Sequence, residues 1–341
     1  MKILVTGGTG YIGSHTVVEL QNKGFEVVIV DNLSNSYEDV VDNIEKITGV
    51  RPSFEKFDLA DPEPTADFFS KNQDIRAVIH FAAVKSVGES VRVPLKYYRN
   101  NLLSLVNILQ GMNDNGIRNI VFSSSCTVYG QPEVLPVKES SPVRVAVSPY
   151  GNTKQISEEI ITDFSRINDL RAILLRYFNP IGAHESALIG ELPIGVPDCL
   201  MPYITQTAIG KRDHLRVWGN DYNTPDGTAI RDYIHVVDLA KAHVIAVERI
   251  VNDLLKKKVE IFNLGTGHGY SVMEVINSFE KTSGVKLKYQ IMDRRPGDVE
   301  KVWADTEFAN EELGWKAEKG LDEMTLSAWN WEKALAEKQK Y

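Results

Sequence analysis

Apolar residues in this chain come in short runs that alternate with stretches of helical period. The runs at 2–6, 26–30, 53–57, 76–80, 119–123 and 171–176 are short and largely apolar, several rich in Val, Ile and Leu. Such runs read as strands covered on both faces. Between them, apolar positions recur every three or four residues at 12–23, 37–47, 63–72, 94–114 and 150–167, which predicts helices. Strand and helix in alternation predict an α/β fold of Rossmann type, a doubly wound parallel sheet with its ligand at the carboxyl ends of the strands. The pattern changes after Phe178. Residues 179–230 are rich in Gly, Pro, Asp and Asn and read as loops, with a helix near 200–210 and a short strand at 214–218. A helix at 238–257 and a strand at 259–264 predict a return to the main sheet, and helices at 271–283, 305–313 and 320–336 complete a smaller mixed α/β lobe. Trp329 and Trp331 read as packing residues, and no repeat or low-complexity segment interrupts the pattern.

The first strand runs directly into Gly7-Gly8-Thr9-Gly10-Tyr11-Ile12-Gly13 and then into a helical pattern. Glycines let the backbone approach a pyrophosphate, and the helix N-terminus adds amide donors and a favourable dipole. The spacing is G-x-x-G-x-x-G, centred on Gly7, Gly10 and Gly13, and many strand-to-helix turns carry glycine for steric reasons alone. Asp31 changes the weight of the motif. It ends the second apolar run, 18 residues beyond Gly13, where a carboxylate accepts hydrogen bonds from the adenosine ribose and repels a 2′-phosphate. That favours NAD over NADP; the competing role for Asp31 is a turn residue ahead of Asn32. Asp58, after the third run, is placed to meet the adenine.

A second constellation bears on chemistry. Tyr150 and Lys154 are four apart in S-P-Y-G-N-T-K, hence on one helical face, and Ser123-Ser124-Ser125 ends 25 residues upstream of Tyr150. A free phenol has a pKa of about 10 and is a poor base at neutral pH. A neighbouring ammonium favours the phenolate, and a serine hydroxyl can hold the oxygen of a substrate alcohol. Tyr and Lys also share this spacing on many helices by accident.

Bulk properties narrow the field. With 341 residues the chain suits two lobes. Its net charge of −8 is spread without a basic block, which argues against nucleic acid or an anionic membrane as partner. Cys126 and Cys199, the only cysteines, form neither a metal-ligand spacing nor a disulfide framework, so a reducing, cytoplasmic location is expected. No apolar stretch approaches 18 residues, the N-terminal run reads as a strand rather than a signal peptide, and no histidine pairing suggests a metal.

Taken together, T-G-G-T-G-Y-I-G-S, F-S-S-S-C-T-V-Y-G and S-P-Y-G-N-T-K resemble the extended short-chain dehydrogenase/reductase family. The likeness narrows to the UDP-glucose 4-epimerases through H-F-A-A-V-K-S-V-G-E-S (80–90), L-R-Y-F-N-P-I-G-A-H (175–184), G-T-A-I-R-D-Y-I-H-V-V-D-L-A (227–240), F-N-L-G-T-G (262–267) and R-R-P-G-D (294–298). These motifs occur in order and span nearly the whole chain. The resemblance implies an isomerase that inverts C4 of a UDP-hexose through a transient 4-keto sugar, using tightly bound NAD, in a homodimer formed through the helices near 94–114 and 150–167. It divides the chain into a dinucleotide domain, 1–178 plus about 234–264, and a UDP-sugar domain, 179–233 and 265–341. Carried over by position, it places Gly7, Gly10, Tyr11, Ile12, Gly13, Asp31, Asn32, Asp58, Leu59, Phe81, Ala82, Ala83, Lys85, Asn100, Ser123, Tyr150, Lys154 and Tyr177 around NAD. It makes Ser125, Tyr150 and Lys154 catalytic, with Lys154 on the nicotinamide ribose and lowering the pKa of Tyr150. It sets Lys85, Ser125, Tyr150, Asn179, Leu200, Arg231, Tyr233, Arg295, Asp298 and Val302 against the UDP-sugar. Arginine is the natural fork for a pyrophosphate, although Arg231 also suits a surface ion pair with Asp232.

Two departures from the family pattern bear on substrate. Asp198-Cys199 stands where these epimerases usually carry Asn-Asn, which puts a nucleotide contact from 199 in doubt. Four residues past Asp298 the family carries a gate: a bulky aromatic confines the enzyme to glucose and galactose, a small residue admits N-acetylated sugars, and Val302 is intermediate. Three rival readings share the scaffold. A nucleotide-sugar 4,6-dehydratase places Asp-Glu directly after the catalytic Ser/Thr, where this chain has Cys126 and Thr127. A UDP-glucuronate decarboxylase would release CO₂. A non-catalytic NAD sensor would not need Ser125, Tyr150 and Lys154.

Overall fold

The computed structural model describes residues 1–295 and 298–338. The first half alternates as expected: β1 (Lys2–Thr6), α1 (Tyr11–Asn22), β2 (Glu26–Asp31), α2 (Asp39–Thr48), β3 (Ser53–Lys56), α3 (Pro62–Lys71) and β4 (Ile75–His80). It continues with α4 (Val87–Arg92), α5 (Pro94–Asp114), β5 (Asn119–Ser125), α6 (Pro149–Ile167) and β6 (Arg171–Tyr177). The second half adds β7 (Asn179–Ile181), α7 (Leu200–Ala208), β8 (Leu215–Trp218), β9 (Ile230–His235), α8 (Val236–Val251) and β10 (Val259–Leu264). It ends with β11 (Gly269–Ser271), α9 (Val272–Ser283), β12 (Tyr289–Met292), β13 (Lys301–Val302) and α10 (Leu321–Lys338).

Seven strands form one parallel sheet in the order β10-β6-β5-β4-β1-β2-β3. Its strands are apolar on both faces because both faces are covered. In β1, Ile3 and Val5 join a core with Val17 and Val18 of α1 and with Leu239 and Val247 of α8. Leu4 points the other way, into a core with Phe69 of α3, Leu105 and Ile108 of α5, and Ile161 of α6. The two-residue period of a strand sorts neighbouring side chains to opposite layers. The strand order reverses between β1 and β4, and the crevice at that switch point is where such sheets bind ligands.

Five strands that the residue pattern did not reveal, β7, β9, β11, β12 and β13, help build the second lobe. β7, β9, β11 and β13 pair into a small mixed sheet, and β8 pairs with β12. β7, β11, β12 and β13 have four residues or fewer, which leaves periodicity little to work with, and the six-residue β9 is hidden by Arg231 and Asp232, which break its apolar run. Three helices differ from expectation. α4, six residues behind the Ser86 cap, lies where the pattern showed none. α8 stops at Val251, because Asn252 caps it and Asp253 is left-handed (φ 60°). The stretch expected to be helical at 305–313 contains a single π turn, Ala309–Leu313, closed by Gly314 at φ 70°. Among the described residues, no helix is long and apolar enough to cross a membrane and no acidic, His or Cys cluster suits a metal.

Candidate active site

The glycine turn is built to close tolerances. Gly7 has φ +67°, and a Cβ there would lie 2.8 Å from the Ala82 amide nitrogen. A Cβ on Gly13 would lie 2.2 Å from the Gly7 carbonyl oxygen. These two positions need glycine for conformation and for close approach respectively. Gly10 is the N-cap of α1, without a side-chain cap, and no acidic residue stands in the first turn formed by Tyr11, Ile12 and Gly13. Their amides therefore form a donor site with a positive dipole, fit for a pyrophosphate.

Asp31 ends β2 beside this turn. Its carboxylate accepts from the amides of Thr9 (3.3 Å) and Leu33 (2.9 Å) and from the Ser36 hydroxyl (3.3 Å). It thus makes the turn contact to Leu33 and also reaches back to the glycine loop. Asn32 donates to Asp58 (3.0 Å), which also accepts from Ala60 N (2.9 Å) around the buried Leu59. On the β4 side, Phe81, Ala82 and Ala83 line the crevice, and the Ala82 amide donates to the Thr6 hydroxyl (3.3 Å). Asn100 donates to Asn101, which clamps Val84 from both backbone groups. Glycines too crowded for a Cβ, an uncapped helix and a carboxylate at the tip of β2 fit a dinucleotide.

The proton-transfer set lies at the carboxyl end of β5. Ser148 caps α6 by accepting from Gly151 N (3.1 Å), and Pro149 occupies the first turn, which orients Tyr150. One turn on, buried Lys154 donates to the Ser123 carbonyl (2.5 Å), 4.8 Å from the Phe122 ring centroid and 5.9 Å from that of Tyr150. Ser125 accepts from Thr127 N (3.2 Å) and the Thr127 hydroxyl (3.0 Å). Tyr177 pairs with Ser125 in register and shares a hydrogen bond with His243.

The electrostatics correct one expectation. Burial pushes the Tyr150 phenol up to about 12, against the pull of the Lys85 ammonium and the Ser125 hydroxyl. The lowering by Lys154 does not dominate in the protein alone. Burial pushes Lys154 itself down to about 7, and its Nζ is directed at a backbone carbonyl. Desolvation of a phenolate outweighs one partly shielded cation. Lys85 is held above its ordinary value because Glu191, 3.0 Å away, outweighs the penalty of burial.

The facing side comes from the second lobe. β9 alternates Arg231 and Tyr233 against Asp232, so the expected alternative for Arg231 does not occur. Asp232 is fully buried and accepts from Thr266 N (2.8 Å), the Thr266 hydroxyl (2.7 Å), Gly267 N (3.1 Å) and Ala304 N (3.1 Å). Arg231 instead pairs with Asp298 and donates to the Ile230 carbonyl. Tyr233 is buried next to Asn179 of β7, and Leu200 opens α7. Arg295 lies over Trp218 of β8 at 5.3 Å, and Val302 is buried with Val128, Tyr129 and Phe178 beside Cys126. Pro296 and Gly297 of the R-R-P-G-D motif lie outside the described residues. Cys126 joins the two halves: burial raises its thiol to about 12, Arg231 acts to lower it, and it acts in turn on Tyr150.

Residue patterns did not single out Glu191, Trp218 or Glu158. Glu158 carried a signal, since it continues the four-residue spacing of Tyr150 and Lys154. Glu191 carried none; it meets Lys85 across 106 residues. Nor did they show that Asp198 bonds to Ser86, tying the loop before α7 to the loop before α4.

A parallel sheet with a dinucleotide cradle at its switch point, a Ser-Tyr-Lys set and an arginine-bearing second lobe define a nucleotide-sugar enzyme of the short-chain dehydrogenase/reductase class. The family model described as GDP-mannose 4,6 dehydratase matches residues 4–327. Full-length relatives narrow this class. The chain is 51% identical over 333 residues to UDP-glucose 4-epimerase of Bacillus subtilis, covering 97% of each chain. It is 50% identical to UDP-glucose 4-epimerase 2 of Arabidopsis thaliana, over 97% of this chain and 94% of that one. The solved epimerase of Bifidobacterium longum, in complex with NAD⁺ and UDP, superposes with a TM-score of 0.94 at 46% identity over 98% of both chains. That of Stenotrophomonas maltophila, with NAD and a formylated UDP-arabinopyranose, gives 0.95 at 47% over 99% of both. The chain belongs to the UDP-glucose 4-epimerase family.

Proposed function

We propose that the protein interconverts UDP-glucose and UDP-galactose by inverting C4, with NAD held throughout the cycle. One observation carries this reading: Ser125, Tyr150 and Lys154 converge beside the glycine turn at the switch point, with Arg231 close enough to act on Cys126, the residue next to Ser125. NAD, when bound, supplies two-electron oxidation at C4 and the matching reduction.

The protein's own groups do the rest. Tyr150 as phenolate takes the proton of the 4-hydroxyl and later returns it. Its phenol is high in the protein alone despite the pull of Lys85, so Lys154, 5.9 Å from its ring centroid, and the positive ring of the oxidised cofactor must help bring it into range. Ser125 holds the reacting oxygen. Arg231 and Arg295 hold the diphosphate, Arg231 exchanging part of its contact with Asp298, while Asn179, Leu200 and Tyr233 line the nucleotide. With the UDP end anchored, the loosely held hexose turns over and presents its other face. The dehydratase reading lacks its acid and base: Cys126 is held neutral and the Thr127 hydroxyl is spent on Ser125.

We assign 1–178 and about 234–264 to the dinucleotide half, and 179–233 and 265–341 to the UDP-sugar half. Two of the boundaries fall at the ends of β6 and β10, neighbours at one edge of the large sheet, and the third falls within β9, which leads from the small sheet into α8. We also assign a homodimer, supported by the exposed Leu95, Leu103 and Val106 on α5, and a cytoplasmic location. Val302, intermediate in size, is the position that sets whether N-acetylated sugars enter as well.

The test is incubation with UDP-Glc, UDP-Gal, UDP-GlcNAc and UDP-GalNAc without added cofactor, reading C4 configuration by NMR. The expected result is equilibration of the first pair. Reaction of the acetylated pair alone would overturn the substrate assignment, and no reaction with any of the four would overturn the function.

A further inference from the structure

α6 carries a third ionisable group on the face of Tyr150 and Lys154. Glu158 lies one turn beyond Lys154 and is buried. Arg176 of β6 clamps its carboxylate with two parallel bonds, Nε to Oε1 (2.9 Å) and Nη2 to Oε2 (2.6 Å). Ser124 of β5 donates to the same carboxylate. Arg176 is fixed in turn: Nη1 donates to the Tyr129 hydroxyl (2.8 Å) and the Glu139 carbonyl (3.4 Å), and Tyr129 donates to Asn263 of β10 (2.7 Å). Three strands thus hold one carboxylate still.

The surroundings of Lys154 show what that carboxylate acts on. From β5 it meets the Ser123 carbonyl and the Phe122 ring; from β4, His80, whose imidazole is kept neutral by burial; from its own helix, Tyr150 and Glu158. Glu158 is the acid that favours the charged form of Lys154 against burial. Packing alone does not explain the group, because a buried ion pair adds little stability over apolar residues of the same size.

We propose that Glu158 is a positioning residue for proton transfer: clamped by Arg176 and Ser124, it keeps the Lys154 ammonium charged and fixed on the Ser123 carbonyl, beside Tyr150. This rests on the function proposed above for Tyr150. As Lys154 loses its proton, the phenolate loses a neighbouring cation, so the alkaline limb of turnover follows Lys154 and is set by Glu158.

The variant is Glu158→Gln, which keeps the shape and removes the charge. Lys154 is titrated through its ¹³Cε signal in lysine-labelled protein, assigned with Lys154→Met. The expected shift is downward by about one pH unit or more, roughly tenfold in the dissociation constant. The alkaline limb of kcat for UDP-glucose should move by the same amount with KM little changed, and Glu158→Asp should restore most of both. Should Glu158→Gln fail to fold because Arg176 is stranded, Glu158→Gln/Arg176→Gln removes both charges and should shift Lys154 downward by a smaller amount, because losing the Arg176 cation offsets part of the loss of the carboxylate. A Lys154 midpoint equal to wild type in whichever variant folds, with only Tm lowered, overturns the inference. So does a Glu158→Asp shift as large as that of Gln. If the wild type turns over no UDP-hexose, the proposed function falls, and the Lys154 midpoint still decides this inference.

Discussion

Gly13→Ala tests the cradle through a single methyl group. The added Cβ would sit 2.2 Å from the Gly7 carbonyl oxygen and 2.9 Å from Gly8 Cα, both backbone atoms that cannot swing aside. Relief requires the turn to open by about an ångström, and overpacking of this kind costs about 1–3 kcal/mol. Where the strain stays in the folded protein, an unfolding entropy of roughly 2.1 cal/mol/K per residue, over 341 residues, converts it to a Tm loss of about 1–4 °C. Where the turn relaxes away from the shape that receives phosphates, the same energy weakens NAD by about 5- to 150-fold. The assay measures NAD retained after purification, then NAD affinity and Tm of the stripped protein. The control is Gly88→Ala, whose new Cβ would meet only the Arg92 guanidinium at 3.9 Å. Full NAD content and an unchanged Tm in Gly13→Ala would refute both the close-approach argument and the cradle.

Further outcomes follow from the same geometry. Tyr150→Phe should lower kcat by about 10²- to 10⁴-fold with Tm unchanged, and near-normal turnover would end its proton-transfer role. Arg231→Met should raise KM for UDP-glucose by at least tenfold and cost little Tm, because Asp298 is freed at a half-exposed position; an unchanged KM would remove it from the diphosphate site. Asp232→Asn should do the reverse. It leaves two of the donors around a buried site without an acceptor, lowering stability by about 1–3 kcal/mol, and a stable variant with poor KM would show that the two neighbours have been confused. Burial holds His15, His80 and His235 neutral, each lowered to about 3. The unfolded chain therefore binds more protons between pH 6.5 and 3, so their contribution is complete above about 6.5 and is lost as pH falls through that window. Tm measured from pH 8 to 4 should fall less steeply for His80→Asn than for wild type, and parallel curves would contradict this.

Local pattern alone determined the parallel half. Its strands are buried on both faces, so they read as apolar runs, and the glycines at 7, 10 and 13, Asp31, and the Tyr150-Lys154 spacing all lie within one supersecondary unit each. Helix and strand periods are properties of a few neighbouring residues, and so they survive in the chain. Tertiary structure decided what those residues meet. β7, β11 and β13, of two or three residues, are too short to show a period, and only their pairing makes them strands. Whether Arg231 serves a surface pair or a cleft depended on the pleat of β9, which turns Asp232 into the interior and Arg231 toward Asp298. The height of the Tyr150 phenol was likewise invisible in the residue order, because desolvation is set by the atoms packed around a group from three strands and a second lobe. The contact of Lys85 with Glu191 spans 106 residues and leaves no trace in spacing, since only folding brings two charges that far apart in the chain within bonding distance.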